Sequence, residues 1–394
     1  MVDKLILVGG FLGSGKTTLL AEAAQRISGQ KTCAPAFAEK IAKFGQGKSV
    51  GLITNDQAPD LVDTRLLTGI GNGVSEVAGS CFCCNFSGFV RAVQSLIDKG
   101  AKIIIAESVG SCTDLSATIV NPLKKFHPDW NLAPLTVLVD PKRLSEIFGK
   151  TKSLVDPDAL YIMELQLAEA DRILISKSDL LLEEEMKFFD QQSEPKEHLS
   201  INQRWARIKH EIRSLIEQHY PDKKPHYPFI SSKSGEGIDG WLEDILYATD
   251  VGSTIVPVDY DRYAHGEAVL GWLNATATVP ANTDGKKILA DLLGAIHDEI
   301  TKTNTEVGHI KALVNVGGKE WVGNLTSLRG SVNIRETESK LGNGILVLNA
   351  RVQTSPDALE TLVRDLCGKF NITIDSLRCL MPGYPTPTHR FSAE

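Results

Sequence analysis

The stretch GSCFCCNF, residues 79–86, sets Cys81, Cys83 and Cys84 within four positions of one another. Three thiols so close admit three chemistries: a disulfide, an inert apolar cluster or a metal site. An adjacent pair such as Cys83–Cys84 closes a disulfide only with backbone strain. The chain also has seven cysteines, an odd number for a disulfide framework. Thiolates favour Zn2+ and related soft-to-borderline cations in tetrahedral geometry, so the spacing favours a metal site. Cys81 and Cys83 are two apart, and an extended segment projects both to one face. Cys84 joins them only if the chain turns there, which Asn85 and Gly88 permit. Three ligands leave a fourth position for water or a partner group, and an incomplete shell suits a site that gives its metal away. Cys33, Cys112, Cys367 and Cys379 are scattered and read singly as small core residues. Cys112, two residues after Gly110, is also a candidate fourth ligand.

A second chemistry lies upstream. GFLGSGKT, residues 10–17, fits the phosphate-loop pattern G-x-x-x-x-G-K-[ST], follows a predicted strand and opens a helical stretch. Gly10, Gly13 and Gly15 let backbone N–H groups curl around phosphate oxygens, helped by the helix N-terminus. Ser14 and Thr18 belong to the same cradle. Lys16 is placed to span the β- and γ-phosphates, and the Thr17 hydroxyl to ligate Mg2+. SKSD, residues 176–179, stands where many GTPases carry N-K-x-D, with Ser176 in place of Asn. Asp179 can accept from the guanine N1–H and N2–H2, a donor pair that adenine lacks, and Lys177 can pack its stem along the base. SSKSGEG, residues 231–237, resembles a second guanine loop, with the Ser232 backbone N–H near the base O6 and Lys233 beside it. The order of these loops favours GTP over ATP. Glu107, ending the run AKIIIA, can reach the Mg2+ shell or the water near the γ-phosphate. Asp56, ending GLITND, is a second candidate, so Lys16, Glu107 and Asp56 form the expected catalytic set. Asp140 also ends a strand and reads as structural. No arginine finger is evident, which implies slow hydrolysis.

GGFLGSGKTTLL, TND, the Cys-x-Cys-Cys of GSCFCCNF and the glutamate of ESVG together resemble the CobW family of P-loop GTPases. That family is related to the nickel-insertion GTPases of hydrogenase and urease and to chaperones of cobalamin enzymes. The resemblance covers roughly residues 3–250. It implies a metallochaperone or metal-center insertase that binds zinc or cobalt through Cys81, Cys83 and Cys84, with a client metalloprotein or cobalamin-related enzyme as partner. ESVGSCTD departs from the common E-[ST]-[ST]-G-x-A-x-P, and no His-rich segment accompanies it. The alternative reading is a GTP-dependent assembly or reactivation factor whose cysteines are structural or sense redox state.

Bringing these side chains together requires a parallel sheet with its carboxyl ends in one crevice. Strands are expected over 4–8, 49–54, 101–106, 135–139, 171–176 and 226–231, with helices over 88–100 and 159–170. The fold class is therefore α/β, a P-loop NTPase with a mostly parallel, doubly wound sheet, placed in residues 1–250. Residues 28–48 form a long connection, either a partner-facing excursion or a mobile loop, and 183–203 are polar and expected to be exposed. Residues 251–267 read as a linker. From 268 to 394 the rhythm is strand 268–279, helix 286–304, strand 308–316, a hairpin over 319–336, strand 344–353, helix 356–370 and strand 372–380. That is βαββαβ with an insertion, a smaller α+β ferredoxin-like domain ending in a Pro-rich, extended tail.

Composition bounds the partners. The 394 residues suit about two or three domains. With 42% hydrophobic and 23% charged residues the chain reads as globular. The net charge of −7 comes without a Lys/Arg-rich block, which argues against nucleic acid and anionic membrane as partners. A homodimer is left open. MVDKLILVGG holds only four consecutive apolar residues before its glycines, too few for a signal-peptide core, so a cytoplasmic location is expected.

Overall fold

The computed structural model describes residues 2–42, 50–56, 62–71, 73–150, 153–181, 200–221, 228–252, 254–280, 283–328, 330–338 and 342–391. Strands β1 (Lys4–Gly10), β2 (Val50–Asp56), β3 (Val74–Ala78), β4 (Ile103–Glu107), β5 (Thr136–Val139) and β6 (Arg172–Ile175) form one parallel sheet in the order β3-β2-β4-β1-β5-β6. A strand covered on both faces is apolar at every position, and all seven residues of β1 are buried. Its side chains alternate between two cores. Leu5 and Leu7 join the layer that holds Phe89, Val93 and Leu96 of α4 (Phe86–Asp98). Ile6 and Val8 join Leu19, Leu20 and Ala23 of α1 (Lys16–Ile27), together with Trp241. This is the P-loop NTPase architecture expected from the sequence.

Strand β3 is the element that the sequence reading missed. It is a short edge strand, VSEVA, with only Val77 buried, so it shows no apolar run. The strand expected over 226–231 is reduced, among the described residues, to a single parallel bridge between Ile175 and Phe229. Within the connection 28–48, Pro35–Ile41 form α2, which docks on α10 (Ile238–Tyr247). Ala34 N donates to Asp239 Oδ2 (2.8 Å) and Tyr247 OH donates to Lys40 O (3.1 Å). Residues 43–49 and 182–199 lie outside the described residues.

The second sheet is antiparallel, in the order β10-β9-β8-β11-β7-β12. Its strands are β7 (Gly271–Thr278), β8 (Val307–Val316), β9 (Lys319–Leu325), β10 (Asn333–Thr337), β11 (Ile345–Val352) and β12 (Thr373–Leu380). The four strands β8-β11-β7-β12, with α12 (Gly285–Lys302) and α13 (Pro356–Lys369), make the ferredoxin-like βαββαβ unit. The hairpin β9–β10 extends it beyond β8.

The segment read as a linker is partly built. Tyr260–Ala268 form α11, packed so closely on α7 (Pro157–Glu169) that a Cβ on Gly266 would fall 2.4 Å from Asp158 O. The two sheets meet through buried charge. Arg143 of α6 (Pro141–Ile147) donates to Glu146 (2.7 Å) and, across the boundary, to Glu306 (2.9 Å).

Glu169, at the end of α7, is wholly buried and anchors the loop after β4. It accepts from Thr113 Oγ1 (3.0 Å) and Ser116 N (3.0 Å). Burial pushes its carboxyl up to about 8. An acid held protonated in this way stabilises the fold fully below its unfolded value, and that contribution is lost as pH rises through the folded value. Stability should therefore fall between about pH 4.5 and pH 8, and Glu169→Gln should flatten that slope in urea denaturation followed across the range. An unchanged slope would show that Glu169 is ionised in the folded protein.

Candidate functional site

The phosphate loop forms at the carboxyl end of β1, beside β4, where the strand order reverses direction. Gly10 has φ 126°, and a Cβ there would lie 2.3 Å from Leu138 O, so no other residue fits without displacing β5. Lys16 opens α1 and folds back on the loop, donating to Gly10 O (2.6 Å) and Phe11 O (3.1 Å). Burial lowers its pKa, against the opposing charges of Glu107 and Asp63. Thr17 Oγ1 donates to Glu107 Oε1 (3.3 Å). Among the described residues, Glu107 Oε2 and Ser14 Oγ are buried without a hydrogen-bond partner. Burial, with the nearby Asp63 charge, pushes the Glu107 carboxyl up to about 7. A hydroxyl, a carboxylate and an orphaned carboxylate oxygen fit a hard divalent cation such as Mg2+ bound with phosphate.

The base-side loops converge as well. Asp179 Oδ1 accepts from Ser231 Oγ (2.6 Å), which puts the SKSD and SSKSGEG loops in contact. Ser232 is half-buried and Lys233 exposed in the turn that follows. Lys177, with φ 54°, pairs with Asp140 (2.5 Å), and Asp140 caps α6 by accepting from Lys142 N (2.9 Å). Asp140 thus has the structural role expected of it, but its partner is the lysine assigned to the base.

The cysteines follow β3 directly. The chain does not run extended there: residues 82–85 form a turn, and Asn85 caps α4 by accepting from Gly88 N (3.0 Å). The turn, rather than strand alternation, brings the three sulfurs within 4.8 Å of one another. Cys81 and Cys83 Sγ are 2.9 Å apart, and Cys83 and Cys84 Sγ 3.9 Å. Hydrogen bonds from Cys112, Cys83 and Cys84 hold the Cys81 thiol well below the usual range, whereas donation to Cys81 pushes Cys84 up to about 11. Asn55, penultimate in β2, clamps the whole turn. It donates to Val77 O (2.8 Å) and Ser80 O (2.8 Å) and accepts from Phe82 N (2.9 Å).

The family model described as CobW/HypB/UreG, nucleotide-binding domain, matches residues 4–202. The chain belongs to this family. The match contains every strand of the first sheet, the phosphate loop, Glu107 and the cysteine turn, and stops short of the second sheet. Among solved structures, the chain is similar to the Zn(II)-bound YjiA GTPase from E. coli, at 13% identity over 93% of this chain and 99% of that one, with a TM-score of 0.32. It is also similar to a Zn(II)-bound triple mutant of YjiA GTPase, at 13% identity over 93% and 99%, with a TM-score of 0.33.

In this CobW/HypB/UreG chain the second sheet closes over the phosphate loop. A Cβ on Gly13 would lie 3.1 Å from Thr326 and 3.2 Å from Gly308 O. Lys311 of β8, itself buried, pairs with Asp63 of α3 (Val62–Leu67). Although burial opposes it, Lys311 holds Asp63 below the ordinary carboxylate range. Asn349 Oδ1 accepts from Val62 N (2.8 Å), and Arg351 Nη2 donates to both oxygens of Asp56 (2.9 and 2.7 Å). Asp56 is thus engaged with the second sheet, and Asp63 is the acid whose charge acts on Lys16 and Glu107. Sequence reasoning missed Asp63, Lys311 and Ser231. In HIKALVNV the polar His309 and Lys311 alternate with apolar residues, a pattern that reads as an outward face.

The C-terminal tail crosses the cysteine turn. Thr388 N donates to Cys83 O (2.8 Å) and Thr388 Oγ1 to Cys84 O (3.2 Å), while Arg390 Nε donates to Asp114 Oδ2 (2.7 Å). Removing residues 383–394 should speed modification of the half-buried Cys84 by a chromogenic thiol reagent. An unchanged rate would mean that the tail does not shield it.

Proposed function

We propose that this chain is a GTP-binding, GTP-hydrolysing metallochaperone that carries a thiophilic divalent ion, zinc or cobalt, on Cys81, Cys83 and Cys84 and yields it to a client metalloprotein under nucleotide control. The observation that carries this reading is the shared scaffold. Asn55 clamps the cysteine turn, and Glu107, ending the adjacent strand β4, meets Thr17 of the phosphate loop.

Lys16, Ser14 and the loop amides would hold the phosphates. Thr17 and Glu107 would hold Mg2+, which neutralises charge on the β- and γ-phosphates when bound. Bound Mg2+ would keep the Glu107 carboxylate, which burial pushes up to about 7, ionised. Asp179, already oriented by Ser231, would accept from guanine. Lys16→Ala should abolish hydrolysis. Asp179→Asn should shift preference toward xanthine nucleotides, whose O2 accepts where guanine donates. Calorimetric titration with GTP, ATP and XTP checks this; ATP bound as tightly as GTP would remove the basis for the guanine assignment.

Nucleotide control requires reciprocity: if GTP raises metal affinity, metal raises GTP affinity by the same factor. Competition against a chromophoric chelator should show tighter metal binding with a non-hydrolysable GTP analogue than with GDP, by roughly 5–150-fold, and no difference in Cys83→Ala. Equal affinities in the two nucleotide states would reject the chaperone mechanism even if the thiols bind metal.

A further inference from the structure

We propose that the surface beneath the C-terminal strap, residues 384–391, is the docking site for a client's metal-accepting segment, and that the strap occupies it in cis until the client arrives. The inference rests on the metallochaperone reading and deepens it. The segment that fits is extended and carries an arginine beside aromatic residues.

The strap is held as a peptide ligand is held, by main-chain hydrogen bonds with side-chain contacts between them. Thr388 N donates to Cys83 O (2.8 Å) and, three residues on, Phe391 N donates to Ala117 O (3.0 Å). Between these points the side chains diverge. The His389 ring centroid lies 5.1 Å from Phe86 and 5.0 Å from Phe126. Phe391 lies nearly parallel to His389 (5.9 Å), with the Lys125 ammonium over its ring (4.7 Å). Arg390 goes the other way, donating from Nε to Asp114 Oδ2 (2.7 Å) and from Nη2 to Val256 O (3.2 Å). Asp114 is buried, and breaking one side of a buried ion pair is costly, so the surface selects for a cation at this point.

The strap is also built to leave. It follows β12 and joins neither sheet, and Tyr384, Thr388 and Arg390 are exposed. A segment with solvent-exposed backbone bonds and little buried surface opens at low cost. Pro385 and Pro387 limit its freedom once released, which lowers the entropy lost on redocking.

Position ties this surface to the metal. Ligand exchange requires donor and acceptor ligands on one ion at once, with the thiolate sulfurs at about 2.3 Å. Thr388 Oγ1 donates to Cys84 O (3.2 Å), so the strap lies against the half-buried cysteine of the cluster. A client ligand approaching from that side comes to the place the strap holds. The ion then passes to the client's deprotonated ligands, and the vacated thiolates take up protons from solvent.

A fluorophore-labelled peptide GYPTPTHRF, residues 383–391, stands in for the client segment in titrations with the full-length chain. In wild type the strap faces its own site at an effective concentration of about millimolar and competes with the peptide. A chain with Thr388→Pro and Arg390→Ala loses the N–H, the hydroxyl and the ion pair. By fluorescence anisotropy it should bind the peptide about tenfold more tightly than wild type does. The peptide carrying Arg390→Ala should bind that chain more weakly than the natural peptide. Zinc transfer to a chromophoric chelator should be faster from the substituted chain, and excess natural peptide should slow it again. Equal peptide binding by the two chains, equal binding of the two peptides, or equal transfer rates in a chain that holds zinc overturns the docking site and leaves the metallochaperone reading standing. A wild-type chain that takes up no zinc overturns both.

Discussion

Lys16, Glu107, Asp63 and Lys311 interact within one buried patch at the carboxyl edge of the first sheet. Buried charges persist only where opposite charges and hydrogen bonds face them, and stripping one partner from such a cluster commonly destabilises by about 3–5 kcal/mol. Here the partners come from separate parts of the chain: the phosphate loop, the end of β4, the helix after β2 and a strand of the second sheet. No single element satisfies the cluster alone. The ferredoxin-like unit is thus joined to the nucleotide-binding fold by charge as well as by apolar contact.

From that patch the constraint passes along β2. Asn55 and Asp56 are neighbours that face different tasks: Asn55 bonds the cysteine turn and Asp56 bonds Arg351 of the second sheet. Successive side chains of a strand point to opposite sides, so one strand end can serve two sites at once. Arg351 is held in turn by Trp272, whose ring lies 4.3 Å from the guanidinium carbon. A shift of β2 relative to β4 would disturb the cysteine turn and the second sheet together. Packed cores pass on such shifts because they do not deform continuously.

Much of this was legible in the sequence because its signals are local. The phosphate loop is a contiguous motif, and the ferredoxin-like order could be counted from periodicity, with boundaries such as Pro356–Lys369 close to expectation. Strand β3 was not legible, since a short edge strand with Ser75 and Glu76 partly exposed carries no apolar run. The route by which the cysteines meet was legible only in part: a turn near Asn85 was expected to bring in Cys84, but Cys81 and Cys83 were expected on an extended face, whereas the turn already begins at Phe82. The pairs Lys311–Asp63, Arg351–Asp56 and Ser231–Asp179 join residues far apart in the chain, and one-dimensional pattern has no means of pairing them. A polar residue on a strand reads as solvent-facing until a second domain is seen to cover it.

The tail adds a final link. Its Thr388 bonds the carbonyls of Cys83 and Cys84, and its Arg390 pairs with Asp114, two residues beyond Cys112. Asp114 sits at φ 63°, a conformation that a non-glycine residue keeps only when its surroundings enforce it. Arg390, Tyr260 and the buried environment together supply that enforcement: Tyr260 OH donates to Asp114 (2.7 Å), and Asp114 itself is only 1% exposed. One strap therefore touches both the turn that carries the clustered thiols and the loop after β4, at the cysteine carbonyls on one side and at Asp114 on the other. Lifting it exposes the turn and removes an ion pair from the loop after β4 in the same motion. Access to the sulfurs and the geometry of the nucleotide-facing loop are in this way joined through a segment that belongs to neither sheet.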